Sequence, residues 1–165
     1  VGVDPAISTD GDYNVIIVLE VDENKNKQVI FVDRSKNVEF RENINKLKLI
    51  GQLFQPESIF LETNTFAKSF TQELRNETDL NVHDFTTTRK KKEEIILNLQ
   101  MNIENHKIIF PRGAHDDLVM GLALANAATH QMLDNFILID DMDIFGAKDE
   151  NPINVLGGGI LGLNF

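Results

Sequence analysis

Apolar residues fall first at the spacing of strands and then at the spacing of helices. Val1 to Ala6 is a short apolar run that breaks at Asp4-Pro5, which predicts a strand entering a turn. Ser8 to Asp12 is turn chemistry. Asn14 to Asp22 is rich in β-branched residues and predicts a strand, Glu23 to Lys27 a polar hairpin loop, and Gln28 to Asp33 the next strand. Three strands joined by short polar loops predict an antiparallel meander.

The period then changes. Glu39 to Phe54 places Phe40, Ile44, Leu47, Ile50 and Leu53 or Phe54 on one helical face, and Pro56 stops it. Ser58 to Glu62 predicts a short buried strand. Phe66 to Glu77 predicts a helix aligned on Phe66, Phe70 and Leu74, Val82 to Thr86 a strand, and Lys90 to Glu104 a long helix using Ile95, Ile96, Leu99 and Ile103. Lys107 to Pro111 predicts an edge-like strand. The stretch from Gly113 to Ala125 predicts a final core helix. Leu118, Leu122 and Ala125 recur at helical spacing, its small residues allow close packing on a sheet, and His115 or Asp116 serves as N-cap. The expected architecture is α/β: a mixed central sheet, antiparallel in its first three strands and then parallel, flanked by helices. Residues 1–134 form one domain and 135–165 a tail or small add-on. No repeat or low-complexity segment interrupts this order. Gly157-Gly158-Gly159 is not a P-loop, because no Gly-Lys-Ser/Thr follows.

Composition narrows the function. The chain has 165 residues, 42% of them hydrophobic, enough for one domain with a real core. No apolar run is long enough to span a bilayer, and no signal-peptide pattern opens the chain. Val1-Gly2-Val3-Asp4 reads as the middle of a strand, so a fragment of a longer protein is expected. Cysteine and tryptophan are absent, which removes disulfides and thiolate metal sites and fits a reducing compartment. A net charge of -10 argues against passive nucleic-acid binding, though not against an enzyme that brings carboxylates to DNA through metal ions. Arg89-Lys90-Lys91-Lys92 is the densest basic cluster. It follows Thr86-Thr87-Thr88, and a helix start with basic side chains suits a phosphate, although such clusters are commonly just solvated.

Acidic residues stand at three element ends: Asp4 after the first strand, Glu62 after the fourth, and Asp116-Asp117 at the last helix. Each alone has a bland reading. Asp4 before Pro5 forms turns, Glu62 before Thr63-Asn64 caps a helix, and one Asp in a first turn caps another. Two adjacent carboxylates opening a buried helix are costlier and call for a divalent cation. If the first and fourth strands are neighbours, Asp4 and Glu62 stand side by side, and a final helix crossing the sheet brings the third group. Two ions about 3.5–4 Å apart can activate a water and stabilise the leaving oxygen of a phosphodiester. Oxygen-only ligands favour Mg2+ or Mn2+ over zinc. Asp10 and Asp12 read as turn carboxylates, with Asp12 able to reach a metal if its loop folds over the site. His115 reads as a cap, a second-shell partner or a leaving-group acid, and His83 and His106 as surface residues.

Val1-Gly2-Val3-Asp4-Pro5-Ala6 with Gly11-Asp12-Tyr13, then Phe60-Leu61-Glu62-Thr63-Asn64, then His115-Asp116-Asp117-Leu118-Val119-Met120 resemble the C-terminal nuclease domain of the large terminase subunit of tailed bacteriophages. The resemblance runs from Val1 to about Met132, and its last element is the most specific. It implies an RNase H-like (RuvC-like) fold and a Mg/Mn-dependent endonuclease, with two ions, cutting concatemeric viral DNA at the start and end of headful packaging. It places the acidic triad on Asp4, Glu62 and Asp117, with Asp116 as an extra ligand. Asp4 then bridges both metals, Glu62 holds one, and Asp117 with Asp116 holds the other. His115 and Asp12 stand behind them, and Arg89, Lys90, Lys91 and Lys92 face double-stranded DNA. The implied partners are a packaging ATPase domain of the same subunit, the portal and the small terminase subunit, in the host cytoplasm, with no membrane. One departure stands out. Family members carry a longer segment, often a hairpin, before the last helix, where only Arg112-Gly113-Ala114 intervene here. Residues omitted at this point are expected rather than a lost segment.

Three other readings remain open from the sequence. A junction resolvase or transposase-like nuclease keeps the fold and takes branched DNA. An actin-like nucleotide-binding module needs a second glycine-rich loop, which the Phe60 to Asn64 junction does not offer. A docking domain for portal or ATPase leaves the carboxylates without metal.

Overall fold

The computed structural model describes residues 1–6, 13–63, 67–110 and 118–129. All lie in the first of the two units into which the chain divides, Val1–Gln131 and Met132–Phe165. The expected boundary at residue 134, the tail 135–165, the 112–114 connection, Asp10, Asp12, Phe66 and His115-Asp116-Asp117 lie outside the described residues.

The strands are β1 (Gly2–Asp4), β2 (Asn14–Val21), β3 (Lys27–Ser35), β4 (Ile59–Glu62), β5 (Val82–Phe85) and β6 (Ile108–Ile109). The helices are α1 (Phe40–Phe54), α2 (Ala67–Glu77) and α3 (Arg89–Glu104), followed by α4, whose described turns cover 118–129. The six strands form one sheet in the order β5-β4-β1-β2-β3-β6. The β1-β2-β3 meander is antiparallel, and β4, β5 and β6 add in parallel.

Strand alternation sorts the core onto two faces. Val3, Ile16, Val18, Ile59 and Leu61 turn to one side, where α1 brings Ile44, Leu47 and Ile50 and α2 brings Phe70 and Leu74. Val15, Ile17 and Phe60 turn to the other, where α3 brings Ile95 and Leu99 and α4 brings Met120, Leu122 and Leu124. Each fully buried aliphatic side chain among these contributes roughly 1.5–3 kcal/mol, so the alternation fixes the register firmly.

Local signals set the ends of the elements. Asp22 Oδ1 accepts the Asn26 amide at 2.7 Å in the β2–β3 turn, with Lys25 at φ 62. Gln55 closes α1 in the left-handed region and donates its amide to Gly51 O, just before Pro56. Thr88 caps α3 by accepting the Lys91 amide on its hydroxyl at 3.3 Å.

Four expectations need correction. On α1 the inner face ends on Phe54, which packs on the core, whereas Leu53 is 65% exposed and Phe40 is exposed with its ring edge-on to Phe70. Ile103 is exposed in the last turn of α3. His83 is half-buried, its ring 5.3 Å from that of Phe60, because β5 pairs with β4 at that level. Lys27 belongs to β3, not to the loop, and is 2% exposed. Its Nζ donates to Asn126 Oδ1 at 2.7 Å and Asn102 Oδ1 at 3.1 Å. Asn126 Nδ2 in turn donates to Asn98 Oδ1 at 2.9 Å. A polar knot thus ties β3 to α3 and α4, and burial pushes the Lys27 amine down to about 8.

Candidate functional site

The parallel pairing of β1 with β4 aligns Gly2 with Phe60 and Val3 with Leu61. Carried on by one residue, that register sets Asp4 beside Glu62, at the C-terminal ends of neighbouring strands. The gap between the strands is about 4.8 Å. Both residues are half-buried. Both project from the face covered by α3 and α4, since Asp4 alternates with Val3 and Glu62 with Leu61, and Val3 and Leu61 face the other way. The end of β4 is pinned: the Thr63 amide donates to Phe85 O at 3.0 Å, and the Thr63 and Thr86 hydroxyls lie 3.3 Å apart.

α4 lies directly on this part of the sheet. A β-carbon on Gly2 would fall 2.2 Å from Gly121 O and 2.3 Å from the Ala125 amide nitrogen, and one on Gly121 would fall 2.6 Å from a methyl of Val15. Glycine at both positions is what allows the helix backbone to seat on the strands. Val15 is the register partner of Asp4, and Gly121 stands one turn nearer the start of α4 than Ala125. The N-terminal turns of α4 therefore run toward the level of Asp4. Leu118, the first described residue of α4, packs into the same core.

The same level can be followed across the sheet. Arg34 on β3 pairs with Val15, Val15 with Asp4, Asp4 with Glu62, and Glu62 with Phe85 on β5. Lys91, in the first turn of α3, holds its Nζ 5.8 Å from the centre of the Phe85 ring. Its neighbours Arg89 and Lys90 form ion pairs with Glu93 and Glu94 one turn on, at 2.9 Å and 3.8 Å, and are highly exposed. The basic cluster thus opens α3 next to the strand bearing Phe85, with Lys91 turned back toward the sheet. At the other end of the row, the Arg34 guanidinium stacks 3.4 Å from the centre of the Tyr13 ring, and Lys36 Nζ lies 4.2 Å from it. Sequence reasoning missed this cluster. Alternation puts Tyr13 on the face of Val15, but Arg34 joins them through the β2–β3 register, which the sequence does not carry.

Among the described residues no group of three or more His, Cys, Asp or Glu side chains converges, and Asp12, His115, Asp116 and Asp117 lie outside them. Two adjacent half-buried carboxylates nonetheless fit a hard divalent cation. Carboxylate oxygens one strand spacing apart are the kind of donors that an oxygen-preferring cation takes. Two described grooves lie elsewhere. One sits between the ends of α1 and α2, around Gln55, Leu80 and Asn81. The other lies under Leu49 and Leu53 beside Phe31, and neither includes Asp4 or Glu62. No described helix is long and apolar enough to cross a membrane.

A family model for the terminase RNaseH-like domain matches residues 1–131. Among solved structures, the large terminase nuclease from thermophilic phage G20c aligns with TM-score 0.64 at 20% identity, over 76% of this chain and 79% of that one. Structures of that nuclease with bound magnesium, zinc and cobalt are also similar to this chain. The fowlpox virus Holliday junction resolvase aligns with TM-score 0.52 at 14% identity, over 79% of this chain and 96% of that one. T. thermophilus RuvC in complex with Holliday junction substrate aligns with TM-score 0.50 at 16% identity, over 76% and 89%. No curated protein matches.

Proposed function

The chain belongs to the terminase RNaseH-like domain family and has the RNase H-like fold, and on that premise we propose that it is a metal-dependent endonuclease that cuts concatemeric phage DNA. The observation that carries this reading is the placing of Asp4 beside Glu62, on one face and at the same end of adjacent parallel strands.

Asp4 and Glu62 would hold the divalent cations. Asp117, with Asp116, completes the set. The supporting facts are that these two residues directly precede Leu118 in the sequence and that the following turns of α4 rest against Gly2 and Val15. His115 and Asp12 act behind these ligands. Carboxylate-only donors favour Mg2+ or Mn2+, and the similar phage nuclease has been solved with magnesium, zinc and cobalt. Bound there, such ions supply activation of the attacking water and neutralisation of charge on the leaving oxygen. The backbone hydrogen bond of Thr63 to Phe85 fixes the end of β4, and with it the position of Glu62 on the strand, before substrate arrives. Arg89, Lys90, Lys91 and Lys92 take backbone phosphates of double-stranded DNA. Lys91 is best placed for this, because it reaches back over Phe85 beside Glu62.

A net charge of -10 holds DNA poorly. Productive cutting therefore draws on the packaging ATPase domain of the same subunit, the portal and the small terminase subunit in the host cytoplasm, and the isolated chain nicks weakly. The test is cleavage of supercoiled plasmid with Mg2+ or Mn2+. The wild-type chain cuts, chelator stops it, and Asp4→Ala or Asp117→Ala abolishes cutting in a protein that still melts cooperatively. Undiminished cutting by Asp4→Ala overturns the assignment, and a preference for four-way junctions over linear duplex moves the substrate to branched DNA.

A further inference from the structure

The polar knot of Lys27, Asn98, Asn102 and Asn126 has no part in the chemistry assigned above. We propose that it is a positioning element for the metal site: it fixes α4 on the sheet, and so sets the place of the carboxylates that directly precede Leu118 in the sequence, Asp116 and Asp117, relative to Asp4 and Glu62. This rests on the nuclease reading and deepens it. Lys27 and Asn126 act through α4.

Apolar packing brings α4 to the sheet without giving it a direction. The surface it buries is small and smooth: Ala123, Ala125 and Ala128 are at most 2% exposed, and burial of such groups is non-directional. Contact with Gly2 limits how closely the backbone approaches β1 at Ala125. The next residue, Asn126, is held from β3 instead, by Lys27 Nζ at 2.7 Å. Successive helical residues point about 100° apart, and β1 and β3 lie about 10 Å apart across the sheet. Two holds on adjacent residues, from separate strands, remove the rotation that either one leaves. Asn126 Nδ2 donates to Asn98 Oδ1 on α3 at 2.9 Å, and Lys27 Nζ also donates to Asn102 Oδ1 at 3.1 Å, so α3 is locked to the same point.

For stability alone the knot is a poor choice, because apolar side chains of like volume often serve as well as buried charged ones. What they do not reproduce is one geometry, since hydrogen bonds weaken steeply when misaligned. Its location fits a positioning role. Lys27 pairs with Val21 and Asp4 with Val15, about 20 Å apart along β2. The knot is therefore too far away to touch a cation held at Asp4, and its effect passes through the helix. A displacement of about 1 Å at a reacting centre is enough to cost about 100-fold in rate.

The experiment compares wild type with Lys27→Met/Asn126→Leu, which replaces donor and acceptor together by apolar groups. The chain has no cysteine, so spin labels attach only where cysteines are introduced. Ile30→Cys on β3 and Val119→Cys on α4, both exposed, report the strand-to-helix distance in metal-free protein. In the double variant the distance distribution broadens or shifts. In unlabelled protein, plasmid cleavage needs about 10-fold more Mn2+ for half its maximal rate, and at saturating Mn2+ kcat falls while KM for DNA is unchanged. Ile44→Val lowers Tm from the opposite face of the sheet and leaves both readouts at wild-type values. If Ile44→Val moves them equally, the effect is general loosening and the proposal is overturned. A double variant with either the distance or the Mn2+ requirement unchanged also overturns it, and leaves the nuclease reading standing. If the double variant does not melt cooperatively, Asn98→Ala, at a half-buried site, decides: smaller changes in the same direction support the proposal, and none overturns it. If wild type neither cuts nor gains Tm with any divalent metal, the nuclease reading fails, and the role at a metal site with it.

Discussion

Gly2 and Gly121 meet backbone to strand: a β-carbon on Gly2 would lie 2.2 Å from the Gly121 carbonyl oxygen. The obstructing atoms are main chain and cannot swing aside, so Gly2→Ala must lift α4 off β1. The expected cost is about 3 kcal/mol, the upper end for overpacking, seen as a fall in Tm. Because α4 is seated beside Asp4, metal-dependent cleavage falls with it. Gly121→Ala meets the Val15 side chain instead and costs less, about 1–2 kcal/mol.

Asp4→Asn and Glu62→Gln separate stability from chemistry. Each swap keeps the size of the side chain, so the metal-free protein still melts cooperatively. The rise in Tm on adding Mn2+, which reports binding to the folded state, shrinks in both. Cleavage drops by at least about 100-fold, the upper range for loss of an outer partner of a metal ligand and so a floor for a ligand itself. A thermal shift titration beside a plasmid assay reads both.

Lys27 gives a pH signature. Burial pushes its amine from 10.5 to about 8, so between those values the unfolded chain keeps a proton that the folded chain has released. Stability contributed by this residue therefore rises with pH across that window. The neutral amine still donates to Asn102 and Asn126. Near pH 7, Lys27→Met lies within about 1 kcal/mol of wild type, because loss of the donor is offset by relief from burying a cation. At pH 10 the variant is less stable by about 1–3 kcal/mol, the cost of buried acceptors without a donor. Tm profiles of the two proteins from pH 7 to 10.5 test this.

Glu77 works in the opposite direction. Hydrogen bonds and ion pairs with Lys48 and Arg41 hold its carboxyl down to about 2, from 4.5. Its bridge between α1 and α2 is complete above pH 4.5 and is lost as pH falls toward 2. Glu77→Gln should flatten the acid limb of the Tm profile over that interval. High salt should shrink the difference, because the groups are solvent-facing.

The sheet was legible because its strands alternate so cleanly. Val15, Ile16, Ile17 and Val18 sort to opposite faces in turn, and the adjacency of β1 and β4 put Asp4 next to Glu62, as the acidic pattern required. The helices were legible as elements but not at their edges. Whether Phe54 or Leu53 closes α1, or whether Ile103 reaches the core, depends on where each helix leaves the sheet, which periodicity does not encode. The Tyr13–Arg34–Lys36 stack escaped because it joins two strands through a register that only pairing reveals. Lys27 read as loop because a lysine beside Asn26 and Asp22 looks solvated. Its acceptors, Asn102 and Asn126, come from α3 and α4, far along the chain.

Apart from Lys27, the lysines among the described residues are exposed or partly so, whereas Lys27 is sealed beneath two helices. An acylating reagent therefore reaches it only in molecules where α3 or α4 has come away from β3. Once uncovered, the amine loses the burial that depressed it and returns toward 10.5, so under alkaline conditions it is acylated like any exposed lysine. The residue is a built-in chemical timer for the opening of this half of the domain, readable by mass spectrometry and independent of whether any DNA is cut.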